Sequence, residues 1–182
     1  PVLHGTYGED GTVQGLLELA GIPYVGAGVG GSVLGLDKVV FKDVMQAHGL
    51  PIVDSLALKR KDWDADPEKV IDQIEGQLDY PVFTKPANLG SSVGISKVKT
   101  HGEDEAAIET ALRYDRKILV EEGILGREIE CSVLGNATPR ASLPGEVFPF
   151  REFYDYRDKY IEGKTRFVVT SDPCVFHEVR GI

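Results

Sequence analysis

Long apolar runs are missing from this 182-residue chain. None approaches the ~20 residues that cross a bilayer as a helix. The N-terminus carries no signal-peptide pattern, so no membrane partner is expected. Cysteine is scarce: Cys131 and Cys174 stand alone and far apart in sequence. Such a pair fits free thiols in a reducing cytoplasm better than a disulfide framework. The expected compartment is therefore cytoplasmic. Positive charge is also short, with 20 Lys and Arg against 29 Asp and Glu, a net charge of −9 and a pI near 4.9. That balance disfavours non-specific binding to nucleic acid or anionic lipid. An anion site here is a local basic spot in an acidic body. No clustered His/Cys pattern marks a structural metal, and no G-x-S-x-G elbow marks a serine nucleophile. No residue is read as a metal ligand.

What remains is an ordinary globular composition, 42% apolar and 27% charged, sized for one domain or two small ones. Pro1 opens inside what reads as a strand, and Val175 to Ile182 ends without a cap or closing helix. The chain reads as a piece of a longer protein.

Hydrophobic periodicity organises the chain. Val2-Leu3 and Ile22 to Val25 read as short strands around a helix carrying Val13, Leu16, Leu17 and Ala20. Gly8-Glu9-Asp10-Gly11 before it is a turn with capping chemistry. One helix is expected from about Ser32 to His48, with Val40, Phe41, Val44 and Met45 as its apolar stripe. Ile52 to Leu58 reads as a strand. Asp66-Pro67 starts a helix whose inner face is Val70, Ile71, Ile74 and Leu78. Strands follow at Tyr80 to Thr84 and Val93 to Val98, then a helix from Glu103 to Tyr114 with Ala107, Ile108, Ala111 and Leu112 inward. Lys117 to Glu121, Glu128 to Leu134 and Arg166 to Thr170 read as further strands, and Asn136 to Pro144 as a turn with a strand. Phe148 to Lys164 is aromatic, charged and aperiodic, hence a long loop. Residues 1–30 look like the end of a parallel α/β domain, and 50–125 like an α+β unit.

The densest chemistry lies in Val82-Phe83-Thr84-Lys85-Pro86, followed by Gly90-Ser91-Ser92-Val93-Gly94. A strand ends on a lysine and runs into a turn of small residues. Lysine supplies a point charge, and glycine lets backbone N–H groups approach phosphate oxygens. The loop joins strand to strand, unlike a Walker loop, which opens a helix. Its plainer reading is an exposed hairpin with a lysine beside it. Lys38 sits where it can reach the same anion, although most helix lysines are merely solvated. Glu121-Glu122 and Glu128 are either an acidic strand end or a hinge accepting hydrogen bonds from an adenine edge and a ribose. His4, Glu9 and Asp10 fit turn and capping roles equally well. Gly26-Ala27-Gly28-Val29-Gly30-Gly31 matches G-x-G-x-x-G, with Asp54 beyond it, which opens a dinucleotide-binding reading beside that of a flexible connection.

Taken together, these pieces resemble the D-alanine–D-alanine ligases of the ATP-grasp superfamily. The matching segments, in the family's order, are Leu3-His4-Gly5, Gly8 to Gly15, Gly21 to Gly26, Leu36-Asp37-Lys38, Lys85-Pro86 with Gly90 to Gly94, Val120-Glu121-Glu122, Gly126-Arg127-Glu128 and Phe153 to Tyr160. The resemblance implies an α+β ATP-grasp fold. Residues 1–30 would end an N-terminal α/β domain, 31–125 would form the central subdomain, and 126–182 a truncated C-terminal subdomain with a lid loop over about 148–164. It implies an ATP-dependent ligase that joins two D-alanines through an acyl phosphate, for peptidoglycan precursors and the bacterial cell wall.

By that likeness Lys38 and Lys85 would bind ATP phosphates, and Gly90, Ser91, Ser92, Val93 and Gly94 would close over them. Glu121, Glu122 and Ile124 would read adenine, and Glu128 the ribose. His4 with Glu9, Ser91, Lys159 and Tyr160 would serve the D-alanine substrate and the closed lid. ATP and Mg2+ are the implied cofactors, with the magnesium ligands expected in a C-terminal portion beyond this chain. The isolated chain is therefore expected to be inactive. D-alanine is the implied partner and a homodimer the implied parent assembly. Gly123 stands where the family usually has an aromatic against adenine. D-alanine–D-lactate and D-alanine–D-serine ligases, and a non-catalytic nucleotide-binding module, are the alternatives.

Overall fold

Alternation decides the central sheet. In Val82–Pro86 every second side chain is buried, so the segment forms a strand with one face in the core and one open. A computed structural model describes residues 2–149 and 165–169 of the chain. In chain order they form α1 (Thr12–Leu19), α2 (Val29–Leu36), α3 (Lys38–Ala47), β1 (Ser55–Lys59), α4 (Arg60–Ala65), α5 (Pro67–Gln77), β2 (Val82–Pro86), β3 (Ser96–Val98), α6 (Asp104–Leu112), β4 (Lys117–Glu122), β5 (Glu128–Glu130), β6 (Val133–Leu134), β7 (Arg140–Ala141), β8 (Gly145–Phe148) and β9 (Arg166–Val169). The fold is α+β. Two compact units divide the chain, residues 1–124 and 125–182.

The first unit holds a four-stranded sheet in the order β1-β4-β2-β3, with every neighbouring pair antiparallel. Helices α5 and α6 cover one face. Val70 and Ile74 of α5 meet Ala107, Ile108, Ala111 and Leu112 of α6 over Val82, Val98, Ile118 and Val120 of the sheet. Full burial of such aliphatic side chains stabilises by about 1.5–3 kcal/mol each. Both helices follow the expected stripes. Asp66 caps α5 by accepting the Lys69 amide at 3.1 Å, with Pro67 in the first turn.

The long helix expected from Ser32 to His48 is two helices. Asp37 leaves helical geometry (φ −75°, ψ 99°) and caps α3, accepting the Val39 and Val40 amides at 3.2 Å. A carboxylate that finds two free amides starts a new helix. The stripe of α3 is only partly covered among the described residues, since Val40 and Phe41 stay about 40% exposed. Val2-Leu3 and Ile22 to Val25 form no strand. α4 is an addition to the expected elements: Trp63 is buried and anchors it, donating Nε1–H to Glu109 at 2.6 Å.

In the second unit β5, β8 and β9 make a three-stranded antiparallel sheet, and β6 and β7 a separate hairpin. The strand expected from Glu128 to Leu134 breaks into β5 and β6. The segment from Gly145, expected to lead into a loop, instead starts as β8. Arg127 clamps this sheet, donating through Nε and Nη2 to both oxygens of Glu146 at 2.8 and 2.7 Å. Most of the expected lid loop, with Lys159 and Tyr160, lies outside the described residues, as does Cys174.

Candidate functional site

The open face of the first unit's sheet carries the charged residues. Strand alternation puts Phe83 and Lys85 of β2 on this face. The register sets Phe83 opposite Lys97 on one side and opposite Glu121 on the other. Lys85 pairs with Glu121, one oxygen of which it engages, while Lys42 from α3 takes the other at 3.0 Å. Lys42 also donates to the Val53 carbonyl at 2.8 Å. Burial alone would push the Glu121 carboxyl up, but the Lys85 and Lys42 charges hold it below the usual range. The Lys85 and Lys97 ammonium groups also lie 5.4 and 5.7 Å from the Phe83 ring centre.

Lys38 sits at the root of the loop. Its ammonium donates to the carbonyls of Pro86 at 3.1 Å and Ala87 at 3.4 Å, and also to that of Leu89. The position follows from the cap. Asp37 is fixed by the Lys117 ammonium at 2.5 Å, and the Lys38 amide bonds the Ala87 carbonyl at 3.0 Å. Burial and repulsion from Lys85 lower Lys38 to about 8. Three ammonium groups thus gather around one carboxylate, Glu121, in a chain of net charge −9. This is the local basic spot that the composition requires of an anion site.

The loop from Gly90 to Gly94 joins β2 to β3, strand to strand as its sequence suggests. Ser91 and Ser92 are consecutive left-handed residues (φ 54° and 59°), and Gly94 follows at φ 72°. Two non-glycine residues in this region store strain, of order 1–3 kcal/mol each. Asp115 pins the loop's start, accepting the Asn88 amide and side chain at 2.9 Å each.

At the N-terminal end, His4 is exposed. It lines a cleft of about 510 Å³ with Gly8, Glu9, Gln14, Gly26 and Ser32. Glu9 accepts the Gly5 amide at 2.5 Å, and Gly90 comes close to its carboxylate, so the loop root and the His4 turn are neighbours. Asp10 lies one residue before the N-cap of α1, Gly11, and accepts the Tyr7 amide at 2.9 Å and the Thr12 amide at 3.0 Å. Gly26 to Gly31 lacks the strand that a dinucleotide fingerprint requires before it. Glu122 accepts the Asp79 amide at 3.1 Å, and Ile124 is exposed. A Cβ on Gly123 would lie 2.8 Å from the Pro81 carbonyl oxygen, which accounts for glycine there on steric grounds. In the second unit Glu128 opens β5 opposite Val147.

Lys42, Lys117 and Asp115 were not singled out from the sequence. Lys42 was within reach of that reading: it lies four residues after Lys38, hence on the same helix face. Lys117 and Asp115 become visible only once β4 is paired with β2.

A lysine-bearing sheet face beside a strand-to-strand glycine-serine loop is an arrangement suited to holding a phosphate-type anion. The D-ala D-ala ligase C-terminus model matches residues 44–174, and the D-ala D-ala ligase N-terminus model matches residues 1–27. The D-alanine–D-alanine ligase of Natranaerobius thermophilus is 56% identical over 169 residues, covering 93% of this chain and 46% of that protein. That of Solibacter usitatus is 57% identical over 172 residues, covering 94% and 51%. The crystal structure of the VanG D-Ala:D-Ser ligase from Enterococcus faecalis superposes with a TM-score of 0.86 at 37% identity, over 100% of this chain and 52% of that one. The D-alanine–D-alanine ligase structure from Coxiella burnetii gives 0.71 at 46% identity, over 80% and 43%. The chain belongs to the D-alanine–D-alanine ligase family. It spans about half the length of the curated relatives it matches.

Proposed function

We propose that the protein carrying this chain is an ATP-dependent D-alanine–D-alanine ligase and that this chain supplies its phosphate-handling face. The observation behind this reading is the lysine group, Lys38, Lys42 and Lys85, set beside the strained loop from Gly90 to Gly94. Phosphoryl transfer asks the protein for positioning and for charge opposite the migrating oxygens. In the proposed reaction a D-alanine carboxylate oxygen bonds the γ-phosphorus and ADP departs. The amine of a second D-alanine then attacks the carbonyl carbon, phosphate leaves with the C–O bond, and the amine proton passes to solvent.

Lys85 faces the nucleotide and exchanges part of its hold on Glu121 for phosphate oxygens. Lys38 keeps the loop root in place and adds charge. The amides from Gly90 to Gly94, with Ser91 and Ser92, cover the phosphates and exclude water from the acyl phosphate. His4, held in the turn that Glu9 closes, faces the first D-alanine. Glu121, Glu122 and the backbone to Ile124 border the adenine. The described residues do not fit a magnesium site beside the lysines: the carboxylate standing there, Glu121, is already engaged by two ammonium groups. The chain by itself is proposed to be inactive.

Calorimetry on the 182-residue chain tests the nucleotide half of this reading. ATP should give saturable heat, lost in Lys85→Ala, whereas NAD should give none. Heat with NAD alone would overturn it. Phosphate release by the whole protein with D-alanine, set against D-serine and D-lactate as second substrates, tests the reaction.

A further inference from the structure

On the unit's other side, away from the lysine face, Glu75, His101 and Asp104 bring one ligand atom each within 4.8 Å of one another. Glu75 lies in the last turn of α5, His101 in the turn before α6, and Asp104 is the first residue of α6. His101 Nδ1 pairs with Glu75. Asp104 is completely buried. Its Oδ2 accepts the Tyr80 hydroxyl at 2.8 Å, while its Oδ1 is buried and has no hydrogen-bond partner. A buried carboxylate oxygen without a partner costs about 1–3 kcal/mol or more, so it calls for a ligand.

We propose that Glu75, His101 and Asp104 form a structural site for a first-row transition-metal cation of the zinc type. One imidazole nitrogen and two carboxylate oxygens are the donor set such ions take, and the imidazole argues against magnesium or calcium. Water completes a tetrahedral shell, since Glu75 and His101 are exposed. The supporting contacts are those of a metal site. Tyr80 fixes the Asp104 carboxylate from outside the ligand shell. Glu103 closes the His101 turn by accepting the Lys99 amide at 2.9 Å, so the imidazole is carried on an ordered turn. The bound ion ties α5 to α6, the two helices that cover the core, and satisfies Asp104 Oδ1. The site is independent of the ligase reading, because it shares no residue with the lysine face.

Zinc chloride titrated into the metal-stripped 182-residue chain tests it by calorimetry, with the thermal midpoint followed in parallel. One equivalent should bind and raise the midpoint. His101→Ala, a change at an exposed position, should weaken binding at least about ten-fold. Asp104→Asn keeps an acceptor for Tyr80 and should weaken it similarly, whereas His4→Ala should leave it unchanged. Absence of zinc binding, or binding unaltered in both His101→Ala and Asp104→Asn, would overturn the proposal.

Discussion

Lys85 of β2 and Glu121 of β4 form an ion pair across neighbouring strands, on the sheet face that bears the candidate site. On the proposed function the pair couples stability to binding, because the carboxylate that orders the lysine is also the group an incoming phosphate would compete with.

Glu121→Gln keeps the shape but leaves Lys85 and Lys42 without their counter-charge. Removing one member of a mostly buried pair costs about 3 kcal/mol. Urea denaturation should show that loss at neutral pH. The folded carboxyl titrates below its ordinary 4.5, so its stabilisation is present above that value and fades as pH falls through the lower one. The difference between wild type and Glu121→Gln should therefore shrink below about pH 4.5.

Lys38 gives a pH dependence of the same sign in a higher window. Its folded value of about 8 lies below the ordinary 10.5. Between the two the unfolded chain holds more protons, so this residue makes stability rise with pH in that window. An anion prefers the charged form. ATP affinity should fall about ten-fold from pH 7 to pH 9, and Lys38→Gln should flatten the profile in calorimetric titrations.

Gly123→Ala drives a Cβ to 2.8 Å from the Pro81 carbonyl oxygen, a backbone atom that cannot swing aside. The expected cost is about 1–3 kcal/mol. Gly76→Ala has nothing within 4 Å of the new methyl and lies inside α5. It should stabilise by about 0.5–1 kcal/mol. Thermal midpoints moving in opposite directions would bear out both; a neutral Gly123→Ala would refute the clash.

Arg127→Lys retains the charge but loses the two-pronged grip on Glu146. A loss of about 1 kcal/mol is expected, read by denaturant unfolding of the 182-residue chain. An unchanged midpoint would show that the fork contributes only a solvated charge.

Much of this was legible in the sequence because it is local. The stripes of α5 and α6, the Asp66-Pro67 cap and the alternation of β2 depend on spacing alone. The split at Asp37 was not legible: it rests on a lysine 80 positions away holding the capping carboxylate. α4 was missed for the same reason, its anchor Trp63 needing Glu109 from a distant helix. At the site, Lys38, Lys85 and the loop stood out by residue type. Lys117 and Asp115 did not, being lysine and aspartate of ordinary appearance until β4 is placed next to β2; Lys42 showed only in its spacing of four from Lys38. The Glu75, His101 and Asp104 group has no spacing that marks it, because its first member comes from another helix.

The carbonyl of Leu89 is held by the Lys38 ammonium, and beyond Ile95 the chain enters β3. The loop is thus a short leash tied at both ends. The segment between these two ties runs from Gly90 to Ile95, about 20 Å if drawn straight and about half that when doubled back on itself. Any swing pivots just after Leu89, where the Lys38 ammonium holds the chain. Releasing the knot at Lys38 would move the pivot back toward β2 and lengthen the stroke without altering a single residue of the loop.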